Sequence, residues 1–414
     1  MEVCILAKSQ KTILMLGAGI EQVYAIKLAK KKGLYVIAVD KNPEAPGFNF
    51  ADESYPISTR DIDGLRKFIG KYKKRKISGV MTMASDIPLS VAILAKEIGS
   101  PSISLKVAEL ASDKLKMKRH LKKKGVPLPW FCEIDSLSQL EKRVKERGYP
   151  LVLKPVDNSG ARGVIKLTPK VDLAWAYHFS RSYSRCGRLI LEEFLEGPQI
   201  STEGVMWQGR FYITGFSDRN YSKLEEFSPF MVEDGGSIPS SLSKKETKEV
   251  NTVFEEAVRA LGIDIGPAKG DMVLTKDGAK VIEIAARLSG GNFCDVKVPL
   301  STGVDIVDVV MDISIGDPPD LKKFIPTKNL GVAERFFFPP AGKIKRIKGL
   351  ERLASIDWVK KFTLYYRPGD TLPPLTDHTG RAGSVVTVGE NVKQAIERAE
   401  TVVRDIVRFE VEKL

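Results

Sequence analysis

Residues 270–291 decide the fold, and they read GDMVLTKDGAKVIEIAARLSGG. Two runs rich in apolar and β-branched residues flank a Lys-Asp-Gly turn, a pattern that is typical of an antiparallel β-hairpin. Each run carries one carboxylate, Asp271 in the first strand and Glu283 in the second. The sequence therefore predicts a hairpin that presents two acidic side chains shortly before Arg287 and a pair of glycines.

The length of the turn decides whether the two carboxylates share one face of the hairpin, because cross-strand partners project to the same side. A two-residue turn at Asp277-Gly278 would pair Asp271 with Ile284 and would place the carboxylates on opposite faces. A three-residue loop over residues 276–278, with Gly278 in a left-handed bulge, pairs Asp271 with Glu283. We expect the three-residue loop, because joint metal binding by the two carboxylates requires it.

Upstream of the hairpin lie residue types that suit a phosphate-bearing ligand. Lys114 belongs to a predicted basic helix over residues 112–125, with Ser112 as the expected N-cap, and Lys154 ends a short apolar strand. A lysine neutralises phosphate oxygens as a point charge. The loop of residues 157–163, DNSGARG, contains two glycines that let backbone N–H groups approach an anion. Two carboxylates further along the chain suit Mg²⁺, which prefers oxygen ligands.

The first hundred residues alternate strands with helices and predict a parallel sheet. A glycine turn, residues 17–19, follows the first strand and Asp40 ends the second, which is the context of a dinucleotide-binding fingerprint. Gln22 stands where the third glycine of that fingerprint belongs, so we expect only a tight strand-to-helix turn. A nicotinamide-dependent oxidoreductase remains the alternative from another class. The expected strands are residues 12–16, 34–39 and 77–83, and the expected helices are residues 20–32 and about 86–97.

The second half of the chain is predicted to change character twice. Residues 217–247 are rich in Ser, Pro and Gly, so we expect a mobile surface segment there. From about residue 330 the pattern indicates a small α+β unit with strands at 332–338 and 384–388 and a long helix over 391–408. His378 lies in a predicted turn of this unit and is expected outside the site, although the turn could reach it.

Composition limits the remaining options. A chain of 414 residues with 43% hydrophobic and 28% charged residues is a globular protein of two or three domains. The net charge of +13 is spread along the chain without clustered aromatic and basic motifs, so nucleic-acid binding is not expected. No run of 18 apolar residues occurs, which argues against a membrane span. The four cysteines are too far apart to predict a metal site or a disulfide framework: Cys4, Cys132, Cys186 and Cys294.

The order and spacing of these motifs resemble the ATP-grasp superfamily, most closely the branch with biotin carboxylase, the carbamoyl-phosphate synthase large subunit and the L-amino acid ligases. The resemblance implies α/β and α+β architecture in three parts. These are a Rossmann-like pre-ATP-grasp domain (1–110), an ATP-grasp module of two α+β subdomains (111–325) and a small C-terminal α+β domain (326–414). It is carried by Gly17-Ala18-Gly19 with Gln22, Val39-Asp40, Asp113-Lys114, Gly125-Val126-Pro127, Val152-Leu153-Lys154-Pro155, Glu192-Glu193-Phe194 and residues 283–291.

The resemblance also implies roles for individual residues. It implies metal binding by Asp271 and Glu283, and catalysis by Arg287 and Lys154. It implies ATP binding by Lys114, Lys154, Ser159, Gly160, Arg162, Gly163, Glu192, Glu193, Phe194, Leu195, Gln199 and Glu203, and substrate contact by Arg287, Ser289, Gly290 and Asn292.

The activity that the resemblance implies is ATP-dependent ligation of a carboxylate to an amine or a thiol through an acyl phosphate, releasing ADP and phosphate. ATP and Mg²⁺ would be required, with Mn²⁺ as an alternative metal. Activation of bicarbonate or formate is the alternative within the superfamily. We further expect small-molecule carboxylate and amine substrates, a homodimer and a cytoplasmic location.

The sequence departs from the superfamily pattern at the metal and ribose positions. Ala285 stands where many relatives have a metal-binding Asn, so Asn292 is a candidate to compensate. Gln199 stands where an acid often meets the ribose hydroxyls, and Glu203 is the second candidate for that role. Asp271 stands where relatives often have Glu, which shortens the arm of the first metal ligand.

Overall fold

The computed structural model describes residues 10–413, so Cys4 lies outside the described residues. These residues form four β-sheets, of four, four, eight and three strands, with helices packed against them. The first sheet is parallel, and every strand pair of the other three is antiparallel. The mixed α/β and α+β architecture predicted from the sequence is thus confirmed.

The N-terminal sheet is parallel, as the strand–helix alternation predicts, and its strand order is β3-β2-β1-β4, with a short strand β3 that was not predicted. Both of its faces are buried: Ile13 and Met15 join one apolar cluster, whereas Leu14 and Leu16 join another on the opposite face. Burial on both faces explains why these strands are almost continuously apolar. The elements are β1 (Thr12–Leu16), α1 (Val23–Lys31), β2 (Tyr35–Val39), β3 (Glu53–Tyr55), α2 (Ile62–Lys71), β4 (Ile77–Met81), α3 (Pro88–Ile98) and α4 (Leu105–Ala111).

The next sheet, of order β5-β8-β6-β7, forms the smaller part of the central region. The helix before it, α5 (Lys114–Lys123), begins one residue after Asp113, whose carboxylate accepts hydrogen bonds from the amides of Leu115 and Lys116. The predicted N-cap Ser112 is therefore wrong; a carboxylate caps the helix at the following position. The remaining elements are β5 (Phe131–Ile134), α6 (Leu137–Arg147), β6 (Leu151–Pro155), β7 (Ile165–Leu167), α7 (Leu173–Ser182) and β8 (Leu189–Glu193).

The eight-stranded sheet has the order β13-β12-β9-β10-β11-β14-β18-β16 and runs past residue 325, where the sequence predicts a domain boundary. A late helix, α10, also packs Ile306, Val307 and Val310 on one face of the N-terminal sheet. The three predicted domains thus share sheets and cores, and their boundaries stay predictions. The elements are β9 (Gln199–Trp207), β10 (Arg210–Asn220), β11 (Gly235–Ile238), α8 (Lys244–Leu261), β12 (Gly266–Thr275), β13 (Gly278–Ala285), α9 (Val298–Thr302), α10 (Ile306–Ser314) and β14 (Gly331–Phe337).

The C-terminal part completes the eight-stranded sheet and adds the three-stranded sheet β17-β15-β19. The helix predicted over residues 391–408 is observed as an α-helix, Val392–Thr401, that continues as a π-helical turn to Ile406, after which Arg408–Glu412 forms an edge strand against β15. The elements are β15 (Gly342–Lys348), α11 (Leu350–Leu353), β16 (Val359–Leu364), β17 (Thr371–Leu372), β18 (Gly383–Gly389), α12 (Val392–Thr401) and β19 (Arg408–Glu412). No helix among residues 10–413 is both long and apolar enough to cross a membrane.

Residues 217–247 are not a mobile surface segment, contrary to the prediction. They contain the end of β10, all of β11 and the start of α8, and every residue of β11 is buried. Strand β11 pairs with β10 on one side and with β14 on the other. Small and polar residues are needed here because the strand lies between two others: a Cβ on Gly235 would come within 2.3 Å of the Glu334 carbonyl oxygen.

The β12–β13 hairpin pairs Asp271 with Glu283, as expected, but by a different route. Thr275 pairs with Gly278 across a two-residue turn, so the predicted three-residue loop is wrong. Gly278 does have a positive φ of 105°. The register shifts at Ile282 on β13, where a bulge moves Glu283 into line with Asp271.

Candidate active site

A cavity of about 460 Å³ lies where the N-terminal sheet, the two central sheets and the C-terminal part meet. Its lining includes most of the residues that the sequence marks for ATP, metal or substrate. Their roles stay predictions, whereas their convergence is a finding. The predicted residues in the lining are Lys114, Lys154, Ser159, Gly160, Arg162, Glu192, Glu193, Phe194, Leu195, Gln199, Asp271, Glu283, Arg287, Ser289 and Gly290.

Lys114 connects the loop of residues 157–163, called the glycine loop from here on, with the β12–β13 hairpin that carries Asp271 and Glu283, called the carboxylate hairpin. Its Nζ donates to the backbone oxygen of Asn158 at 2.7 Å and to Oε1 of Glu283 at 2.8 Å. Burial lowers the pKa of Lys114, but the charge of Glu283 outweighs it and raises the pKa above its ordinary value. Lys114 is therefore a fixed positive charge between the loop and a candidate metal ligand.

Lys154 belongs to a buried ion cluster that the sequence analysis missed. Its Nζ lies 2.9 Å from Oε2 of Glu192, and Nζ of Lys118 lies 3.1 Å from Oε1 of the same carboxylate. A lysine in this basic helix is expected at the solvated surface, but Lys118 is completely buried. Lys118 lies four residues after Lys114 and therefore on the same face of the helix. This spacing is the one feature of the sequence that could have indicated its burial. Burial lowers the pKa of Lys118 to about 8, against the opposing charge of Glu192.

The loop of residues 157–163 has the conformation of an anion-binding turn. Gly160, Ala161 and Gly163 have positive φ angles of 67°, 60° and 73°. The guanidinium group of Arg162 folds back to the Ser159 backbone and side-chain oxygens at 3.0 and 3.1 Å. Consecutive residues of this kind can aim several backbone N–H groups at one phosphate.

Asp271 and Glu283 face the cavity from neighbouring strands. Oδ1 of Asp271 lies 2.7 Å from Nζ of Lys269 and 2.9 Å from Nη1 of Arg219. Burial raises the pKa of Asp271, but the charges of Arg219 and Lys269 hold it well below the ordinary range. The two carboxylates lie on one face of the hairpin, and carboxylate oxygens are ligands that Mg²⁺ prefers. Ala285 also lines this wall and adds no donor.

Arg287 is held by the N-terminal sheet. Its Nε donates to Oδ1 of Asp86 at 2.6 Å, and its Nη1 donates to the backbone oxygen of Leu288. Burial raises the pKa of Asp86, but the neighbouring Arg287 lowers it below the ordinary range. Asp86 follows β4 at the carboxyl edge of a parallel sheet, the edge where ligand-contacting residues gather in such sheets.

Three predicted site residues lie outside the cavity lining. Gly163 packs under the loop, where a Cβ would come within 2.8 Å of Tyr183. The Asn292 amide donates to Oε1 of Glu334 and Oγ of Ser384, so it does not compensate for Ala285. Glu203 is fully buried and accepts from the Ser289 amide and hydroxyl, so the proposed ribose contact is wrong.

The buried carboxyl of Glu203 predicts a pH-dependent stability. Burial raises its pKa from the ordinary 4.5 to about 7. A raised carboxyl pKa means that the folded state favours the protonated form, so this stabilisation is present at pH 5 and is lost as the pH rises through 7. We expect the free energy of unfolding to fall by up to about 3 kcal/mol between pH 5 and 8. Urea unfolding at several pH values measures this fall.

Glu203→Gln should flatten that pH profile, because the amide cannot ionise. Glu255→Gln, which removes a partly exposed carboxylate on α8, is the control and should leave the slope unchanged. Equal slopes in all three proteins would contradict the assignment to Glu203.

The backbone amides of the N-terminal glycine turn donate hydrogen bonds within the protein. The amide of Gly17 donates to the Val39 oxygen, and the amide of Ala18 donates to Oδ2 of Asp40. The acid expected at a ribose in the dinucleotide alternative is therefore engaged by the turn, which favours the tight-turn interpretation. The same turn places Glu21 in the cavity lining, where its Oε2 accepts from the Gly291 amide.

The C-terminal part contributes residues that the sequence analysis did not assign to the site. His378 and Arg381 line the cavity, so the expectation that His378 lies outside the site is wrong. The amide of His378 donates to the backbone oxygen of Gly160 at 3.2 Å. This contact joins the C-terminal part directly to the glycine loop, and no local sequence pattern indicates it.

The fold and the cavity together define the class of protein. Two antiparallel sheets face a cavity that presents lysines, a glycine loop and two carboxylates on one face of a hairpin. Such a site suits an enzyme that holds a nucleotide between two subdomains and transfers its phosphate, because phosphoryl transfer depends mainly on positioning and charge neutralisation.

The comparisons with known proteins agree with this class. The chain matches three families: a PylC-like N-terminal domain over residues 13–99, an ATP-grasp domain over 111–291 and an L-amino acid ligase C-terminal domain 2 over 335–412. Residues 111–291 are thus an ATP-grasp domain, and the chain as a whole is similar to ATP-grasp ligases.

Individual relatives match along nearly the whole chain. The phosphoribosylamine–glycine ligase of Methanococcus vannielii is 26% identical and is aligned over 97% of this chain and 94% of its own length. The crystal structure of L-amino acid ligase from Bacillus licheniformis has a TM-score of 0.81 at 22% identity and covers 98% of this chain and 100% of that chain. Phosphoribosylglycinamide synthetase from Anaerococcus prevotii has a TM-score of 0.75 at 19% identity, over 97% and 100% of the two chains.

Proposed function

We propose that this protein joins a small carboxylate to an amine at the expense of ATP, and that at least one of the two substrates is an amino acid. The observation that carries the proposal is the single cavity that holds Lys114, Lys154, Arg287 and the Asp271–Glu283 pair. The relatives named above support the amino acid, because both an L-amino acid ligase and a glycine ligase are among them.

The proposed reaction has two steps. A carboxylate oxygen attacks the γ-phosphorus of ATP, the bond to the β-phosphate oxygen breaks, and an acyl phosphate and ADP form. The neutral amine then attacks the acyl carbon, phosphate leaves, and the amine gives up a proton. Lys154 and the loop amides would hold the phosphates of ATP, and Arg287 would stabilise charge on the transferring phosphoryl group.

Asp271 and Glu283 would hold Mg²⁺, or Mn²⁺ as an alternative. When bound, the metal supplies positive charge to the phosphate oxygens. The residues of this chain do the remaining work: Lys114 neutralises the glycine loop and Glu283, and Asp86 orients Arg287. Closure of the loop against His378 would exclude water from the acyl phosphate.

A substrate screen tests the proposed function. ADP release is followed with MgATP and all pairs of the common amino acids, with bicarbonate and formate as separate arms. Turnover with at least one amino acid supports the proposal, and turnover with bicarbonate or formate alone contradicts it. Stabilisation against heat by MgATP but not by NAD(P)H is the companion measurement.

Lys154→Met should raise the KM for ATP by about tenfold to a hundredfold, because one charge-assisted contact to phosphate is lost. The ADP-release assay measures this change. Lys345→Met is the matched control: Lys345 on β15 pairs with Glu412 and does not line the cavity. An unchanged KM in Lys154→Met would contradict the phosphate-binding role.

The assembly and the location of the protein are also part of this proposal. We propose a homodimer that works in the cytoplasm. Light scattering on the purified protein tests the first point, and fluorescence of a tagged protein in its own cells tests the second. A monomer at micromolar concentration would overturn the proposed dimer.

A further inference from the structure

We propose that Arg381 and His378, both from the C-terminal part of the chain, form an oxyanion-binding subsite in the wall of the cavity. The subsite extends the proposed function, and its ligand is either a substrate carboxylate or the terminal phosphate of ATP. Neither residue belongs to the motifs that identify the ATP-grasp domain, which matches residues 111–291.

Both side chains keep a buried polar nitrogen without a partner. Arg381 is 7% exposed and lines the cavity, and its Nε has no hydrogen-bond partner among the described residues. The same holds for Nε2 of His378, which also lines the cavity. A buried polar group without a partner costs about 1–3 kcal/mol, so such groups point to a ligand that completes them.

The guanidinium group of Arg381 is held in place by two contacts. It lies 3.7 Å above the centre of the Phe336 ring, and its Nη2 donates to the backbone oxygen of Glu233 at 2.6 Å. Oε2 of Glu233 is 3.9 Å away and is already bound by Arg219 at 2.8 Å. The charge of Arg381 thus has no close carboxylate of its own.

The turn that carries the two residues is held by hydrogen bonds. Oδ1 of the buried Asp377 accepts from the amide of Thr379 at 2.7 Å and from its hydroxyl at 2.6 Å. The amide of His378 donates to the backbone oxygen of Gly160 in the glycine loop. Burial lowers the pKa of His378 well below its ordinary value, so the imidazole is neutral and can donate a single hydrogen bond.

Positive charge exceeds negative charge along this wall. Arg219, Lys269, Lys297 and Arg381 face Asp271, Glu233 and Glu334, which is four cationic side chains against three carboxylates. An anion would balance the excess and would accept hydrogen bonds from Arg381 and His378 together. A carboxylate and a phosphate both suit a guanidinium group in this way.

The test uses inorganic phosphate as the probe. Full-length protein saturated with MgADP is titrated with phosphate, and its Tm is followed. We expect phosphate to raise the Tm of the wild type, and Arg381→Gln and His378→Gln to weaken the apparent phosphate affinity about tenfold or more. Arg398→Gln is the matched control, because Arg398 also stacks on a ring, Trp358, and donates to a backbone oxygen, but outside the cavity.

A second measurement separates the two sources of the oxyanion. If the ligand is the terminal phosphate of ATP, Arg381→Gln weakens binding of the analogue MgAMPPNP about tenfold and leaves MgADP binding unchanged. If the ligand is the substrate carboxylate, both nucleotides bind normally and the KM of the carboxylate rises about tenfold, with a smaller change in kcat. Arg381→Lys, which keeps the charge but not the planar fork, should recover part of the loss.

The proposal is overturned if phosphate has no effect on the wild type, or if both variants respond to phosphate like the wild type. Failure of the proposed ligase activity is a separate result, seen as the absence of ADP release with every substrate pair while the phosphate and nucleotide titrations still respond.

Discussion

Arg287→Met should lower kcat by about a hundredfold to a thousandfold, the loss typical of removing one preorganised donor from a charged transition state. Arg287 lies between two sheets: Asp86 binds its Nε from the N-terminal sheet, and Asp271 and Glu283 of the eight-stranded sheet line the same cavity. Its buried charge is therefore already oriented before the reaction, and methionine removes the charge while keeping much of the volume.

The assay follows ADP release with the substrate pair found in the screen, together with MgADP binding. Arg287→Lys should be intermediate, because lysine keeps the charge but cannot bind Asp86 and the Leu288 oxygen in the same fork. Arg188→Met is the matched control, since Arg188 makes two ion pairs, with Asp113 and Glu133, outside the cavity. A wild-type kcat in Arg287→Met would remove Arg287 from the proposed mechanism.

Asp271→Asn should lower kcat by at least about a hundredfold and raise the Mg²⁺ concentration needed for half-maximal activity. The side chain loses the charge that Mg²⁺ requires, and Arg219 and Lys269 lose their shared anion. Because breaking a buried ion pair costs about 3–5 kcal/mol, the Tm should fall as well. The magnesium dependence separates the two effects, since lost stability alone would not change it.

Asp277→Asn makes the same substitution at the exposed tip of the same hairpin and should change neither activity nor magnesium dependence. Glu283→Gln should resemble Asp271→Asn. The double variant should lose little more than either single one, because the two carboxylates would act on one ion. A double variant whose losses multiply would argue against a shared metal.

Local patterns in the sequence were sufficient for much of the fold. The alternation of strands and helices predicts the N-terminal sheet, and strand β1 has the predicted limits, Thr12–Leu16. The two strands of the carboxylate hairpin were also predicted, because their apolar pattern is local, whereas the length of the turn between them was predicted wrongly. Segments rich in small and polar residues were predicted less well. The Ser, Pro and Gly content of residues 217–247 indicated a mobile segment, yet strand β11 within it is buried between β10 and β14.

The residues of the site likewise divide into those that a local motif identified and those whose position depends on packing. Lys114, Lys154, the glycine loop and Arg287 were identified because each occurs in a short motif with its own chemistry. The burial of Lys118 was missed, because a lysine in a basic helix has the same local pattern whether it meets solvent or Glu192. Glu203 was assigned to the ribose from its position in the chain, whereas packing places it beneath Ser289.

The hairpin that decides the fold illustrates the limit most directly. Its sequence determined that Asp271 and Glu283 lie on neighbouring strands, because strand periodicity and turn residues are local properties. Only the tertiary structure placed the bulge at Ile282 that aligns them, and only it brought His378 to Gly160. Register shifts and contacts between residues more than two hundred positions apart depend on how whole sheets pack, and no local pattern encodes that packing.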